Sequence, residues 1–387
     1  MTLAPPATVD REELRDSIEA LSAIERPSAS DGERQAAEWI ADRFRAAGLE
    51  ARVEAERAHG GFWWPIALLN AIALVAVRLR SRLLALLALG LLADDIDHRT
   101  RAFRRILPKR ATWNVTAETG DPRASRTVVV VAHHDAAHGG RIYDTTAVYA
   151  LLERFPQLVP RAKRWPPVMW GVVLGPLFAV LGRRRLASVF SLGTIAAMAD
   201  IGRAPVSPGA NDNIAAVATL VALARRRYDG VRVLLVSTGS EESMSEGMQA
   251  WGRRHFPSLS PETTTFVALE TLGSGNLTIA EAEGFLIPHA YSREVKDELE
   301  RCARELQVPV WRGLSNSFAS DGQIPLHAGY PSALLGALDD FRLPANYHKP
   351  WDLPDKVDYG CVADAVRLLD AFIRAQGART PAPPHES

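Results

Sequence analysis

The chain has 387 residues, enough for one large domain or two, and its 47% hydrophobic and 23% charged content is that of an ordinary globular protein. The 45 basic and 45 acidic residues give a formal net charge of zero, so no global field selects nucleic acid as a partner. The two cysteines, Cys302 and Cys361, lie in no metal-binding spacing and read as buried thiols in a reducing compartment, which excludes a disulfide framework.

Met1 to Asp10 has no basic patch followed by an apolar core, so no signal peptide is read there. Residues 11–25 place Leu14, Ile18, Leu21 and Ile24 at helical spacing. Ser28, Ser30 and Asp31 offer N-caps to a second helix with Ala36, Ala37, Ile40, Phe44 and Ala47 on its apolar side, and Gly48 ends it. Leu49 to Glu54 alternates as a strand does.

Residues 62–97 break this pattern. Phe62 to Val77 is apolar except for Asn70, Arg78 to Arg82 interrupts, Leu83 to Ala93 is apolar again, and Asp94-Asp95-Ile96-Asp97 closes the stretch. Residues 165–201 repeat the plan. Trp165-Pro166-Pro167 opens, Val168 to Gly182 is apolar, Arg183-Arg184-Arg185 interrupts, and Leu186 to Ala199 follows. These read as two inserted helical hairpins, 62–98 and 165–201, within a catalytic domain made of 1–61, 99–164 and 202–387. Gly175 and Pro176 predict a kink. Each apolar arm has about 11–16 residues against the roughly 20 that span a bilayer. Arms apolar all round point to membrane lipid, as hairpins that dip into or cross the bilayer as transmembrane helices, or to deep burial. The competing reading is a packed four-helix cluster or an interface between copies.

The soluble pattern resumes between and after the hairpins. Strands are predicted at 114–117, 127–131, 231–237, 265–269 and 332–335, and helices at 214–226, 292–306 and 357–376. Strands alternating with helices define an α/β domain, a mainly parallel sheet flanked by helices as an α/β/α sandwich. Such sheets bind ligands beyond the carboxyl ends of their strands. His133, Asp135, Glu241, Glu242 and Glu270 all follow predicted strands there.

Two adjacent carboxylates at a strand end, Glu241-Glu242, repel each other, and a divalent cation makes the pair tolerable. Histidine nitrogen and carboxylate oxygen suit zinc. The candidate ligands are His133, Asp212, Glu242, Glu270 and His348. Two zinc ions sharing five ligands need a bridge, and Asp212, in a Gly-Ala-Asn-Asp-Asn loop at a helix start, is the choice. Asp135 lies two residues past His133, in place to orient its ring. Glu241 is the candidate general base. Each has an ordinary reading beside it: Asp212 as a helix cap, His348 as a loop histidine, and His134 and His138 as bystanders.

At this point the chain resembles the co-catalytic zinc exopeptidases, which include bacterial leucyl aminopeptidases and glutamate carboxypeptidase II. The resemblance rests on Ala132-His133-His134-Asp135, Pro208 to Asn213, Gly239-Ser240-Glu241-Glu242, Ser320-Asp321 with Gly329-Tyr330-Pro331, and His348 with Asp352. It covers 11–56 and 111–376 and omits the hairpins. It implies His133, Asp212, Glu242, Glu270 and His348 as ligands of two zinc ions, Asp212 as the bridge and Glu241 as the base acting on a metal-bound hydroxide. Three features depart from the family pattern: glutamate at Glu270 where aspartate is common, the polar run Ser243 to Gly247 in place of a Gly-Leu-rich one, and a hairpin between the His133 and Asp212 loops. The implied activity is a zinc-dependent exopeptidase, most simply an aminopeptidase, with a peptide as substrate. The rivals are a carboxypeptidase of the same family, a single-zinc glutaminyl-cyclase-like acyl transferase, and a non-catalytic membrane binding protein. The presence of His133 and Glu270 favours two metals, and an intact Glu241 favours catalysis. Basic residues at the hairpin bases (Arg99, Arg101, Arg104, Arg105, Lys109, Arg110, Arg161, Lys163, Arg164) suggest a membrane-associated protein with its catalytic domain in the cytoplasm. Oligomerisation is left open.

Overall fold

A computed structural model describes residues 9–164 and 169–378. The N-terminal stretch read for a signal peptide falls largely outside these residues, as does Trp165 to Val168 at the start of the second hairpin. In chain order the elements are α1 (Arg11–Ser22), α2 (Asp31–Ala46), β1 (Ala51–Ala58), α3 (Trp63–Leu79), α4 (Arg82–Ile96), β2 (Arg110–Gly120), β3 (Thr127–His133), α5 (Thr146–Arg154), α6 (Trp170–Val180) and α7 (Arg184–Ile201). They continue with α8 (Ala215–Ala224), β4 (Arg232–Thr238), α9 (Glu246–His255), β5 (Thr264–Glu270), β6 (Asn276–Ile279), β7 (Ala282–Glu283), β8 (His289–Ala290), α10 (Arg293–Leu306), α11 (Gln323–His327), β9 (Ser332–Leu338) and α12 (Tyr359–Gly377).

The main sheet runs β1-β2-β4-β3-β5-β9-β6. Its centre, β4-β3-β5-β9, is parallel, and antiparallel pairs flank it on both sides. β3 shows why the centre is buried on both faces. Val128 and Val130 join the core beneath α1, α2, α8 and α12, while Val129 and Val131 join a second core with Trp251, Phe266 and Tyr330. Side chains alternate across a strand, so a β-branched run feeds both layers at once. The register pairs His133 with Thr238, so the carboxyl ends of β3 and β4 finish side by side.

The two apolar segments form the helix pairs α3–α4 and α6–α7, which pack together as one four-helix bundle. Asn70, the lone polar residue of α3, donates from Nδ2 to the carbonyl of Val172 on α6 at 3.2 Å. Gly175 lets α6 approach closely, because a Cβ there would lie 2.2 Å from Ser191 Oγ. Both tips lie at one end, where alanines 76, 85, 179 and 187 pack in a small cluster. α3, α4, α6 and α7 have 17, 15, 11 and 18 residues. At 1.5 Å per residue these reach about 16–27 Å against a hydrocarbon core of about 30 Å. Among the described residues no helix is long and apolar enough to cross a membrane, which corrects the expectation of transmembrane helices.

The polar run after Glu242, which departs from the family pattern, docks the bundle. Ser243 Oγ accepts from the Gly61 backbone N–H at 2.9 Å, and Arg104 Nη1 donates to the Ser243 carbonyl at 3.1 Å. Glu246 accepts from the His59 N–H at 2.7 Å and meets the His59 ring, whose Nε2 contacts the Arg104 carbonyl at 2.8 Å. Arg104 also pairs with Asp95 at the end of α4. Arg101 is buried against the Met244 carbonyl. Arg101 and Arg104 therefore do not face lipid, as the sequence suggests, because both guanidinium groups are buried, Arg104 among carboxylates and carbonyls and Arg101 with one nitrogen on the Met244 carbonyl.

Candidate metal centre

His133, Asp212, Glu242, Glu270 and His348 converge from five segments of the chain, at and beyond the carboxyl ends of β3, β4 and β5. All five are buried. His133 Nε2 lies 3.5 Å from Asp212 Oδ1 and 3.6 Å from Glu270 Oε2. His348 Nε2 lies 3.3 Å from Asp212 Oδ2 and 3.3 Å from Glu242 Oε2. Asp212 thus offers one oxygen to each of two histidine–carboxylate pairs. The ligand atoms of His133, Asp212 and Glu270 lie within 4.8 Å of one another, and so do those of Asp212, Glu242 and His348. Glu241 Oε2 sits 4.0 Å from His133 Nε2, at the edge of the cluster.

The donor set fits metal. Asp212 Oδ2 and both ring nitrogens of His348 are buried with no hydrogen-bond partner, although 3.3 Å separates Asp212 Oδ2 from His348 Nε2. Orphaned buried groups of this kind are costly unless a cation satisfies them. The carboxylates also crowd one another. Burial, with neighbouring carboxylates, pushes Glu241 well above the usual range and Glu270 up to about 8. Burial opposes charge on His348, but Glu242 and Asp212 outweigh it and lift the ring to about 9. A metal cation bound among these buried carboxylates relieves their crowding. The donors, imidazole and carboxylate, are those of zinc.

The loops that carry these ligands are held by groups beneath them. Asp135 stands beside the His133 ring and also holds a second loop. His133 Nδ1 contacts the Asp135 backbone carbonyl at 3.2 Å, while the carboxylate stands 3.5 Å away. The carboxylate also accepts the backbone N–H groups of Glu241 at 3.0 Å and Glu242 at 3.1 Å, with Ser28 Oγ donating at 2.6 Å. Asp352, placed beside His348 by the sequence pattern, accepts the N–H groups of Asn211 and Asp212, each at 3.0 Å. The peptide between Asp212 and Asn213 is cis. Ser240, Thr271 and His348 all have φ near +50°, a left-handed conformation that non-glycine residues adopt where surroundings enforce it. His134 points away to Ser237 Oγ at 3.0 Å.

Four residues at the site gave no signal in the sequence. Arg26, fully buried, donates to the carbonyls of His134, Pro208 and Gly209. Glu33, pushed up to about 8 by burial, accepts from the Trp113 N–H at 3.2 Å beneath Ser240. Tyr143 and Tyr347 lie against the His348 ring at centroid distances of 4.4 and 3.8 Å. Beside Glu241, Glu242 and His348 a largely apolar cavity of about 290 Å³ opens.

Fold and site define a zinc exopeptidase architecture, with a histidine–carboxylate donor set suited to metal at the carboxyl edge of an α/β/α sheet. Residues 193–373 match the model of peptidase family M28, a span that includes Asp212, Glu241, Glu242, Glu270 and His348. The structure is similar to an aminopeptidase from Aneurinibacillus sp. strain AM-1, at 14% identity and a TM-score of 0.56 over 94% of this chain and 93% of that one. It is similar to a leucine aminopeptidase precursor from Bacteroides thetaiotaomicron, at 11% identity and a TM-score of 0.59, covering 96% and 99% of the two chains. A glutaminyl cyclase from Bacteroides thetaiotaomicron, solved with N-acetylhistamine, gives 11% identity and a TM-score of 0.60 over 96% and 99%. No curated protein sequence matches the chain significantly. The chain resembles peptidase family M28 over residues 193–373 and is a metallopeptidase.

Proposed function

We propose that the chain is an aminopeptidase that works with two zinc ions, held by His133 and Glu270 on one side, Glu242 and His348 on the other, and Asp212 between them. One observation carries this reading: Asp212 turns its two oxygens to two separate histidine–carboxylate pairs. Zinc bound there supplies Lewis acidity toward the scissile carbonyl and lowers the pKa of water. Glu241, at the rim of the cluster, takes the proton of the attacking water and returns it to the leaving amine. The surplus of buried carboxylates gives the free α-amine of a peptide an acidic seat. Asp135 fixes where Glu241 stands by holding the two amides of its loop.

The remaining expectations stand as proposals of the same kind. The catalytic domain faces the cytoplasm, and the bundle contacts membrane lipid through exposed leucines such as Leu79, Leu83 and Leu86. The six tip arginines, Arg78, Arg80, Arg82 and Arg183 to Arg185, meet anionic headgroups.

The test is metal analysis of purified protein together with a peptide panel. Release of the N-terminal residue from free but not N-acetylated peptides, at two zinc per chain, is the expected result. Cleavage from the carboxyl end instead makes the protein a carboxypeptidase. Ammonia release from N-terminal glutamine with one zinc per chain makes it a cyclase.

A further inference from the structure

A second cluster of unpartnered donors lies where the bundle meets the β7–β8 hairpin and α11. Asp97 caps the end of α4, and its Oδ1 stands 3.6 Å from Nε2 of His289 on β8. Both atoms are closed off from solvent, and neither has a hydrogen bond. The metal centre holds a matching pair in Asp212 Oδ2 and His348 Nε2, 3.3 Å apart and equally unpartnered. An ion pair alone gains most by closing to a charge-assisted hydrogen bond of about 2.7–2.9 Å. Two ligands about 2.0–2.1 Å from a tetrahedral zinc instead stand about 3.3 Å apart. His327, the last residue of α11, packs edge-on against His289 with ring centroids 4.3 Å apart. It is exposed, so an ion has a way in and the ring can turn toward it at small cost. His98, one residue after Asp97, buries both ring nitrogens without a partner. The second oxygen of Asp97 accepts from Arg99 Nε at 2.7 Å, which holds Oδ1 toward His289.

We propose that Asp97, His289 and His327 hold a further zinc ion, made of none of the catalytic ligands, with His98 or water in the fourth position. The donors, imidazole and carboxylate, are those of zinc. A cation there satisfies the buried atoms that the protein leaves unpaired. Arg99 offsets part of the carboxylate charge, so this site binds more weakly than the catalytic centre, loads after it and empties first. Its ligands come from the end of α4, from β8 and from α11, so the ion ties the inserted bundle to the catalytic domain. It also fixes the turn between β7 and β8. Phe285 of that turn lines the cavity beside Glu241 and meets the His98 ring edge-on at 6.0 Å between centroids. The ion is structural: its occupancy holds one wall of the catalytic cavity in place. This goes beyond the aminopeptidase reading and does not rest on it.

The experiment strips the full chain of metal and titrates it with zinc by calorimetry, beside His289→Ala and His327→Ala. Both side chains reach solvent, so both variants should fold. Wild type taking up one more equivalent than either variant, with a rise in thermal midpoint as that last equivalent binds, supports the site. The result is a difference between chains, so it reads the same whether the catalytic centre holds one ion or two, and whichever peptide is cleaved. Asp97→Asn keeps the shape of the side chain and should bind the extra ion at least ~10-fold more weakly. Equal stoichiometry and equal thermal response to zinc in wild type and all three variants overturn the site. So does an Asp97→Asn midpoint lowered by the same amount with and without zinc, which makes Asp97 and His289 an ordinary ion pair.

Discussion

Arg26 Nη2 donates to the carbonyl of Gly209 at 3.0 Å, while its Nε donates to the carbonyl of His134 at 2.8 Å. One side chain thus pins the loop behind His133 to the loop ahead of Asp212, which the whole second hairpin separates in sequence. Gly209 has φ +60°, and a Cβ there would lie 2.7 Å from Arg26 Nη2, so the loop and the guanidinium are fitted to each other. Arg26→Met leaves buried carbonyls unpaired and the acidic cluster without its nearest fixed cation. We expect a loss of about 3–5 kcal/mol, the usual cost of deleting one partner of a buried charged network, seen as a lower denaturation midpoint and reduced zinc content. Arg26→Lys restores the charge but not the fork, and recovers less than half of that loss. A variant with wild-type midpoint and zinc content removes Arg26 from this role.

Glu241→Gln keeps the size of the side chain and removes the base. Activity should fall by about 10²–10⁴-fold with zinc content unchanged. Turnover at the wild-type rate would show that another group moves the proton.

The two halves of the metal centre are separable by substitution. His133→Ala weakens the half shared with Glu270, His348→Ala the half shared with Glu242, and Asp212→Ala both, because its two oxygens face opposite ways. Zinc titration followed by calorimetry should show one lost site for each histidine variant and two for the aspartate variant. A single site in wild-type protein contradicts this arrangement.

Glu246 ties the bundle to the metal loop, and its pH behaviour follows from its surroundings. Burial opposes its charge, but Arg104, with the His59 hydrogen bond, brings the carboxyl down to about 2. A group whose folded pKa is depressed contributes stability above its unfolded pKa and loses it as pH falls. The contribution is therefore complete at neutral pH, fades from about 4.5 downward, and is gone near 2. It amounts to roughly 3 kcal/mol for a shift of that size. Thermal melts of wild type and Glu246→Gln should differ widely at pH 7, by less than half as much at pH 3, and converge only near pH 2. A gap independent of pH would mean that charge on Glu246 contributes nothing.

Lipid contact predicts co-sedimentation with phosphatidylserine-containing vesicles, weakened by salt and abolished in Leu83→Glu/Leu86→Glu. Failure of the wild-type chain to sediment rejects lipid as the partner. A concentration-dependent dimer in the same experiments assigns the exposed leucines to a second copy of the chain.

The parallel core was legible because three of its four strands, β3, β4 and β5, are apolar runs ending in a polar or acidic residue, as in Thr127 to His133 and Thr264 to Glu270. The candidate site was legible for the same reason: the residues that end those runs sit at one sheet edge. α9, whose apolar face is Met248 and Trp251 among polar neighbours, gave too short a period to read, and β6 spans only Asn276 to Ile279. Arg26 was invisible, since its partners are backbone carbonyls more than a hundred residues away. The second partnership of Asp135 was not legible, because sequence proximity to His133 says nothing of the amides that a folded loop brings from Glu241 and Glu242. The hairpins were visible as apolar arms, but their mutual packing was not, because apolar helices without a stripe do not announce which side meets a neighbour.

The closing of α3–α4 upon α6–α7 works as a fastener. One half hangs from the connection between β1 and β2, the other from the connection between β3 and α8, and Asn70, Gly175 and Ser191 form the clasp. Neither half is a module that can be deleted alone, because the survivor would present the alanine seam of Ala76 and Ala85, or of Ala179 and Ala187, to solvent. Transplanting this architecture onto a plain exopeptidase scaffold requires both halves at once. A chain with only the second half would carry an unclasped loop between His133 and Asp212.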